Sequence, residues 1–99
     1  MTPQELIPHM FGGPIVLCYD LAPTEKLRSS IAALFKKYPD ITLACFETEC
    51  YECLREEAKI SVLFSPGMSE YLCEKYRVIG ILCGSDRLFP DDRLKVMRV

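Results

Sequence analysis

Four short apolar runs set the limits on what this chain can fold into: Pro14–Tyr19 (PIVLCY), Ile41–Phe46 (ITLACF), Ile60–Phe64 (ISVLF) and Val78–Cys83 (VIGILC). Pro14–Tyr19 and Ile41–Phe46 are continuous apolar, β-branched runs that read as strands buried on both faces, and Ile60–Phe64 and Val78–Cys83 read as two further strands. A strand of that kind needs helices above and below it. The segment Thr24–Tyr38 supplies one, with Leu27, Ile31, Leu34, Phe35 and Tyr38 recurring at steps of three and four. Glu25, Lys26, Arg28, Lys36 and Lys37 fall on its other side, and Pro39 ends it.

The remaining connections fit the same alternation. Glu47–Glu49 place negative charge where a second helix would begin, and Leu54 and Ala58 give it an inner face. Ser65-Pro66 is a serine N-cap with proline at the first helical position, followed by Met68, Leu72 and Tyr76 at four-residue spacing. Pro90-Asp91-Asp92 reads as another proline-led start, so a short helix is expected from Asp91 to about Met97. Strands alternating with helices imply right-handed βαβ units. The expected architecture is therefore a small three-layer α/β domain with a mostly parallel four-stranded sheet. Residues 14–99 form that single domain, and residues 1–13 a short helix or arm on its edge.

Composition narrows the function classes. The longest apolar runs are far shorter than the roughly 20 residues of a membrane helix, and the first residues lack the basic and apolar regions of a secretory signal. A soluble cytoplasmic protein with no membrane partner is expected. A net charge of −2 with acids and bases interspersed lacks the basic footprint of a nucleic-acid binder. Six cysteines in a small secreted protein would suggest disulfides. Here Cys18, Cys45 and Cys83 lie inside buried strands, where a reduced thiol acts as a small hydrophobe.

Two groups of residues could carry chemistry. Cys50-Tyr51-Glu52-Cys53 is a C-x-x-C that follows a strand and opens a helix. A helix N-terminus stabilises a thiolate and this spacing permits a disulfide, so Cys50 and Cys53 are a candidate redox pair. Glu47, Glu49 and Glu52 oppose thiolate formation, and the alternative is that one thiol packs inward while the other is half-exposed. A closed zinc site needs four ligands, and the one histidine, His9, lies far from the pair. No metal site and no cofactor are expected. The second group is polar: Asp20, Ser65, Ser85 and Asp86 follow the ends of strands, where parallel sheets bind ligands. Asp20 could equally serve as an N-cap to the helix after it. No P-loop, no G-x-G-x-x-G and no G-x-S-x-G is present.

The stretch from IVLCYDLAPTEKL through ISVLFSPGMSEYL to RVIGILCGSD, about residues 14–86, resembles the receiver domain of bacterial response regulators. That resemblance implies a flavodoxin-like sheet and, in a complete receiver, an acidic pair after strand one, a phosphoacceptor aspartate after strand three, a hydroxyl after strand four and a lysine after strand five. Here Asp20 supplies one acid, Phe64-Ser65 stands at the phosphoacceptor position, Ser85 matches the hydroxyl, and the lysine has no counterpart. The resemblance thus implies a degenerate receiver without phosphotransfer. The first half of the same stretch also resembles a thioredoxin fold, with Leu21-Ala22-Pro23-Thr24 at the usual C-x-x-C position. ECLREEAKI and YRVIGIL are similar to the thioredoxin-like KaiB family. A strand at Val78–Cys83 parallel to its neighbours favours the flavodoxin-like sheet, and an antiparallel one the thioredoxin class.

The leading expectation is a non-enzymatic regulatory or adaptor domain, working in signalling by protein–protein interaction with another protein or with itself as a homodimer. A thiol oxidoreductase using Cys50 and Cys53 and a structural subunit of a larger assembly are the alternatives.

Overall fold

The computed structural model describes residues 13–55, 61–89 and 94–99, and the arm expected at the N-terminus lies outside them but for residue 13. In chain order the elements are β1 (Ile15–Tyr19), α1 (Glu25–Lys37), β2 (Thr42–Cys45), α2 (Thr48–Leu54), β3 (Ser61–Leu63), α3 (Met68–Lys75), β4 (Val78–Cys83) and β5 (Val96–Arg98). Among the described residues the sheet has five strands in the order β3-β2-β1-β4-β5, one more than expected, and every pairing is parallel.

The parallel setting of β4 beside β1 is the outcome assigned above to the flavodoxin-like class, at the level of a doubly wound α/β sheet. The strand order carries further detail. In the order 2-1-3-4-5 the third strand lies next to β1; here β3 lies beyond β2 at the sheet edge. Two successive crossovers run one way from β1, and the chain then returns across it to β4. That reversal places a topological switch point between β1 and β4.

Both faces of the central strands are covered, which is why their sequences are continuously apolar. Val16, Cys18, Leu43, Cys45 and Leu82 point to one face, under Leu27 and Ile31 of α1 and Cys50 and Leu54 of α2. Ile15, Leu17, Ala44, Ile81 and Cys83 point to the other, under Leu72 of α3 and beside Phe46 and Phe64. Burying one leucine of this kind contributes about 1.5–3 kcal/mol.

Helix α1 begins where its chemistry allows. Thr24 is extended and its Oγ1 accepts from the Leu27 N–H at 3.2 Å, while Glu25 in the first turn and Lys36 and Lys37 in the last match the helix dipole. The N-cap is therefore Thr24, not Asp20. The start expected at Ser65-Pro66 is also corrected: Ser65 opens a turn whose carbonyl accepts from the Met68 N–H at 3.0 Å, and α3 begins at Met68 after Gly67. The terminal helix expected from Asp91 to Met97 is overturned where the chain is described, because Val96–Arg98 is a strand on β4. There Val99 N–H closes the pairing on the Cys83 carbonyl at 2.9 Å. Three residues with Val at one end suffice for an edge strand once a ready-made partner lies alongside. No helix among the described residues is long and apolar enough to cross a membrane.

Candidate functional site

In an open parallel sheet the crevice at the carboxyl ends of strands flanking a switch point is where ligands bind. Here those ends are Tyr19-Asp20 after β1 and Cys83-Gly84-Ser85 after β4. The two segments touch directly. Gly84 N–H donates to the Tyr19 carbonyl at 3.1 Å, and a Cβ on Gly84 would lie 2.2 Å from the Asp20 carbonyl oxygen. Only a residue without a side chain permits that approach. Asp20 itself adopts φ 52°, a left-handed conformation that aspartate tolerates better than most residues.

The Asp20 carboxylate engages the loop that follows β4. Ser85 Oγ donates to Asp20 Oδ2 at 2.8 Å, and Arg87 Nε lies 3.2 Å from the same oxygen. Arg87 N–H donates to Ser85 Oγ at 3.2 Å, so the serine hydroxyl links loop and carboxylate. From β5, Arg98 donates through Nη1 to the Ser85 carbonyl at 2.5 Å and through Nη2 to the Arg87 carbonyl at 2.9 Å. Side chains from β1, the 84–89 loop and β5 are thereby spent on one another.

An aromatic wall stands beside this cluster. Tyr19 stacks on Phe46 with ring centroids 5.4 Å apart and meets Phe89 at 5.2 Å, and Phe46 meets Phe64 at 6.2 Å. Such pairs contribute roughly 0.5–1.5 kcal/mol each beyond the area they bury. The Arg87 guanidinium lies over the Tyr19 ring at 5.3 Å, a second anchor for the same loop. Burial pushes the Tyr19 phenol above its ordinary range, against the pull of Ser69 and Arg87. Beyond these anchors the loop turns outward, and Leu88 is 86% exposed.

On the opposite face three thiols from β1, β2 and α2 lie in one core cluster. Cys18 and Cys45 are paired across β1 and β2, and Cys50 of α2 joins the same core cluster. The Leu21 N–H donates to Cys50 Sγ at 3.2 Å. Burial nevertheless pushes the Cys50 thiol up to about 11, and the Glu47 carboxylate adds to the shift. A hydrogen bond with Cys45 and burial raise Cys18 in the same direction. Glu47 has one carboxylate oxygen buried with no hydrogen-bond partner among the described residues. Cys53 is half-buried on the same helix as Cys50, and the two are not joined in a disulfide. Among the described residues no group of three histidine, cysteine or acidic side chains is placed to hold a metal ion.

Of the polar residues singled out in the sequence, Asp20 and Ser85 are brought together. Ser65 follows β3, which is separated from β1 by β2, and Asp86 is exposed in the loop next to Ser85. Sequence reasoning missed Arg87, Arg98 and the aromatic wall. The aromatic residues did carry a signal, since Tyr19 ends β1 and Phe46 and Phe64 directly follow β2 and β3. Arg98 carried none, because its role depends on β5 pairing with β4. In comparisons with known proteins the chain matches no protein-family model, no curated protein and no solved structure, so its geometry alone carries the functional reading.

Proposed function

We propose that this domain is a non-enzymatic interaction module that recognises another protein through the 84–89 loop at the carboxyl rim of its sheet. The observation that carries the reading is the mutual engagement of Asp20, Ser85, Arg87 and Arg98, which fastens the loop at both its start and its arginine. A rigid loop loses little conformational entropy on binding, and an apolar side chain held outward on it makes an anchor. Leu88 is that side chain, and Arg87 and Asp86 frame it with polar groups.

The same engagement speaks against the receiver and oxidoreductase chemistries. The receiver resemblance puts Phe64-Ser65 where a phosphoacceptor aspartate would stand, and the one acid of the pair after strand one, Asp20, already faces a serine and an arginine at hydrogen-bond distance. A redox thiol works as the thiolate, and a thiol raised to about 11 is almost wholly protonated near neutrality. The regulatory setting expected from the receiver resemblance stays part of the proposal, with a phosphorylation-independent partner.

The test places a photo-crosslinking amino acid at Leu88, and separately at exposed Glu25 as a control, in cells that make the protein. One discrete adduct from position 88, absent at position 25 and lost when Arg87 is also replaced by alanine, is the expected result. In parallel, acetyl phosphate should add no phosphoryl mass, and Cys50 and Cys53 should stay reduced in glutathione buffers of cytosolic poise. A phosphoaspartate or a reversible Cys50–Cys53 disulfide would replace this reading with an enzymatic one.

A further inference from the structure

The crossovers that build the sheet place α1 and α2 on one face and α3 on the other. Over β4 and β5, on the face that carries α1, no helix lies among the described residues. What lies there is a groove of about 410 Å³ between α1 and the β5 edge. Leu34 and Tyr38 form its wall, and Ile79, Met97 and Val99 its floor, all partly exposed apolar side chains packed against the core. Gly80 keeps the floor low: a Cβ there would lie 3.0 Å from the Lys95 carbonyl oxygen and 3.5 Å from Met97 Cε. All-parallel sheets are found with both faces covered by helices, and the described elements leave this position over β4 and β5 without one.

The charge around the groove selects the occupant. Lys37 and Lys95 line it, and among the described residues no aspartate or glutamate does. Lys37 Nζ is 5.4 Å from the Tyr38 ring centroid, which holds the ammonium at the wall. Arg98 also lines the groove, but its guanidinium is turned to the Ser85 and Arg87 carbonyls, so this face is distinct from the 84–89 loop. Two copies of the chain packed groove to groove would bring these lysines together, a like-charge arrangement that disfavours self-association.

We propose that this groove receives an amphipathic helix of a second protein, its apolar stripe flanked by glutamate or aspartate. Helix-in-groove binding reads such anchors at i, i+3, i+4 and i+7, and the flanking carboxylates meet Lys37 and Lys95.

The probe is a synthetic helical peptide of about 18 residues with leucine at those positions and glutamate on both flanks, compared with its lysine-flanked counterpart. Both are titrated into the full isotope-labelled chain at low ionic strength and followed by amide NMR shifts. The glutamate peptide should move resonances in residues 30–38, 79–80 and 95–99 and bind about five- to ten-fold tighter than the lysine peptide, as expected for two exposed ion pairs. Lys37→Glu with Lys95→Glu should reverse that order. Equal affinity of the two peptides, or shifts elsewhere, overturns the proposal. So does either other occupant: methyl contacts from Leu6 or Ile7 to Met97 and Val99 in the free chain, or a dimer in sedimentation that Lys95→Glu strengthens.

Discussion

Replacing Gly84 with alanine tests the closed switch point. The added Cβ would lie 2.2 Å from the Asp20 carbonyl oxygen, 3.1 Å from its carbon and 3.3 Å from Leu21 Cα. All three are backbone atoms, so no side chain can swing aside. The two segments must separate by roughly 1 Å to reach an ordinary carbon–oxygen contact. Overpacking of this kind costs about 1–3 kcal/mol, and separation also weakens the Gly84 N–H bond to the Tyr19 carbonyl, worth about 1 kcal/mol. A loss of about 3 kcal/mol is expected. In a domain of 99 residues each kcal/mol shifts the midpoint by about 4–8 °C, so Tm should fall by roughly 15 °C. The matched control is Gly67→Ala, where an added Cβ meets nothing within 4 Å. It should be neutral or stabilising by up to about 1 kcal/mol. Both are read by urea unfolding and thermal circular dichroism. If Gly84→Ala loses no more than about 0.5 kcal/mol, as ordinary surface substitutions do, the direct contact between the two strand ends is not there.

Other outcomes follow from the same geometry. Thr24→Ala should cost about 1 kcal/mol in urea unfolding by removing the α1 cap, whereas Ser65→Ala, before α3, should change stability by less than about 0.5 kcal/mol. Leu27→Ala, at a fully buried position, should cost about 2–5 kcal/mol by the same assay. The raised Cys50 thiol makes stability depend on alkaline pH. The folded protein holds the proton longer than the unfolded chain, so this contribution is complete below about pH 9 and is lost as pH rises through about 11. Urea midpoints measured from pH 8 to 11 should fall less steeply in Cys50→Ala than in the parent protein.

Much of the sheet was legible because both-face burial leaves a plain mark: β1 and β4 were delimited to within a residue, and α1 announced itself by a five-residue apolar stripe from Leu27 to Tyr38. The fifth strand was not. Val96-Met97-Arg98 is three residues long and follows Pro90-Asp91-Asp92, a stretch with stronger local helix chemistry, and only the exposed edge of β4 makes it a strand. Strand order was hidden for a related reason, since βαβ periodicity sets handedness and leaves open the side of β1 on which the third strand lands. At the site, the rule that strand ends carry function brought Asp20 and Ser85 into view together. It also suggested Ser65, which the strand order moves to the far side of β2. Asp20 as a helix cap failed because Thr24, one residue before Glu25, offers a side-chain oxygen acceptor at the right backbone conformation.

The held 84–89 loop is the centre of the functional account, and backbone order parameters test it most directly. Amide relaxation is measured for the parent protein and for Asp20→Ala, which removes the acceptor shared by Ser85 and Arg87. The expected result is order parameters near about 0.85 across Ser85–Phe89 in the parent, falling below about 0.6 in the variant while β1 and β4 keep theirs. A loop already mobile in the parent, or one equally ordered without the Asp20 carboxylate, would contradict the account.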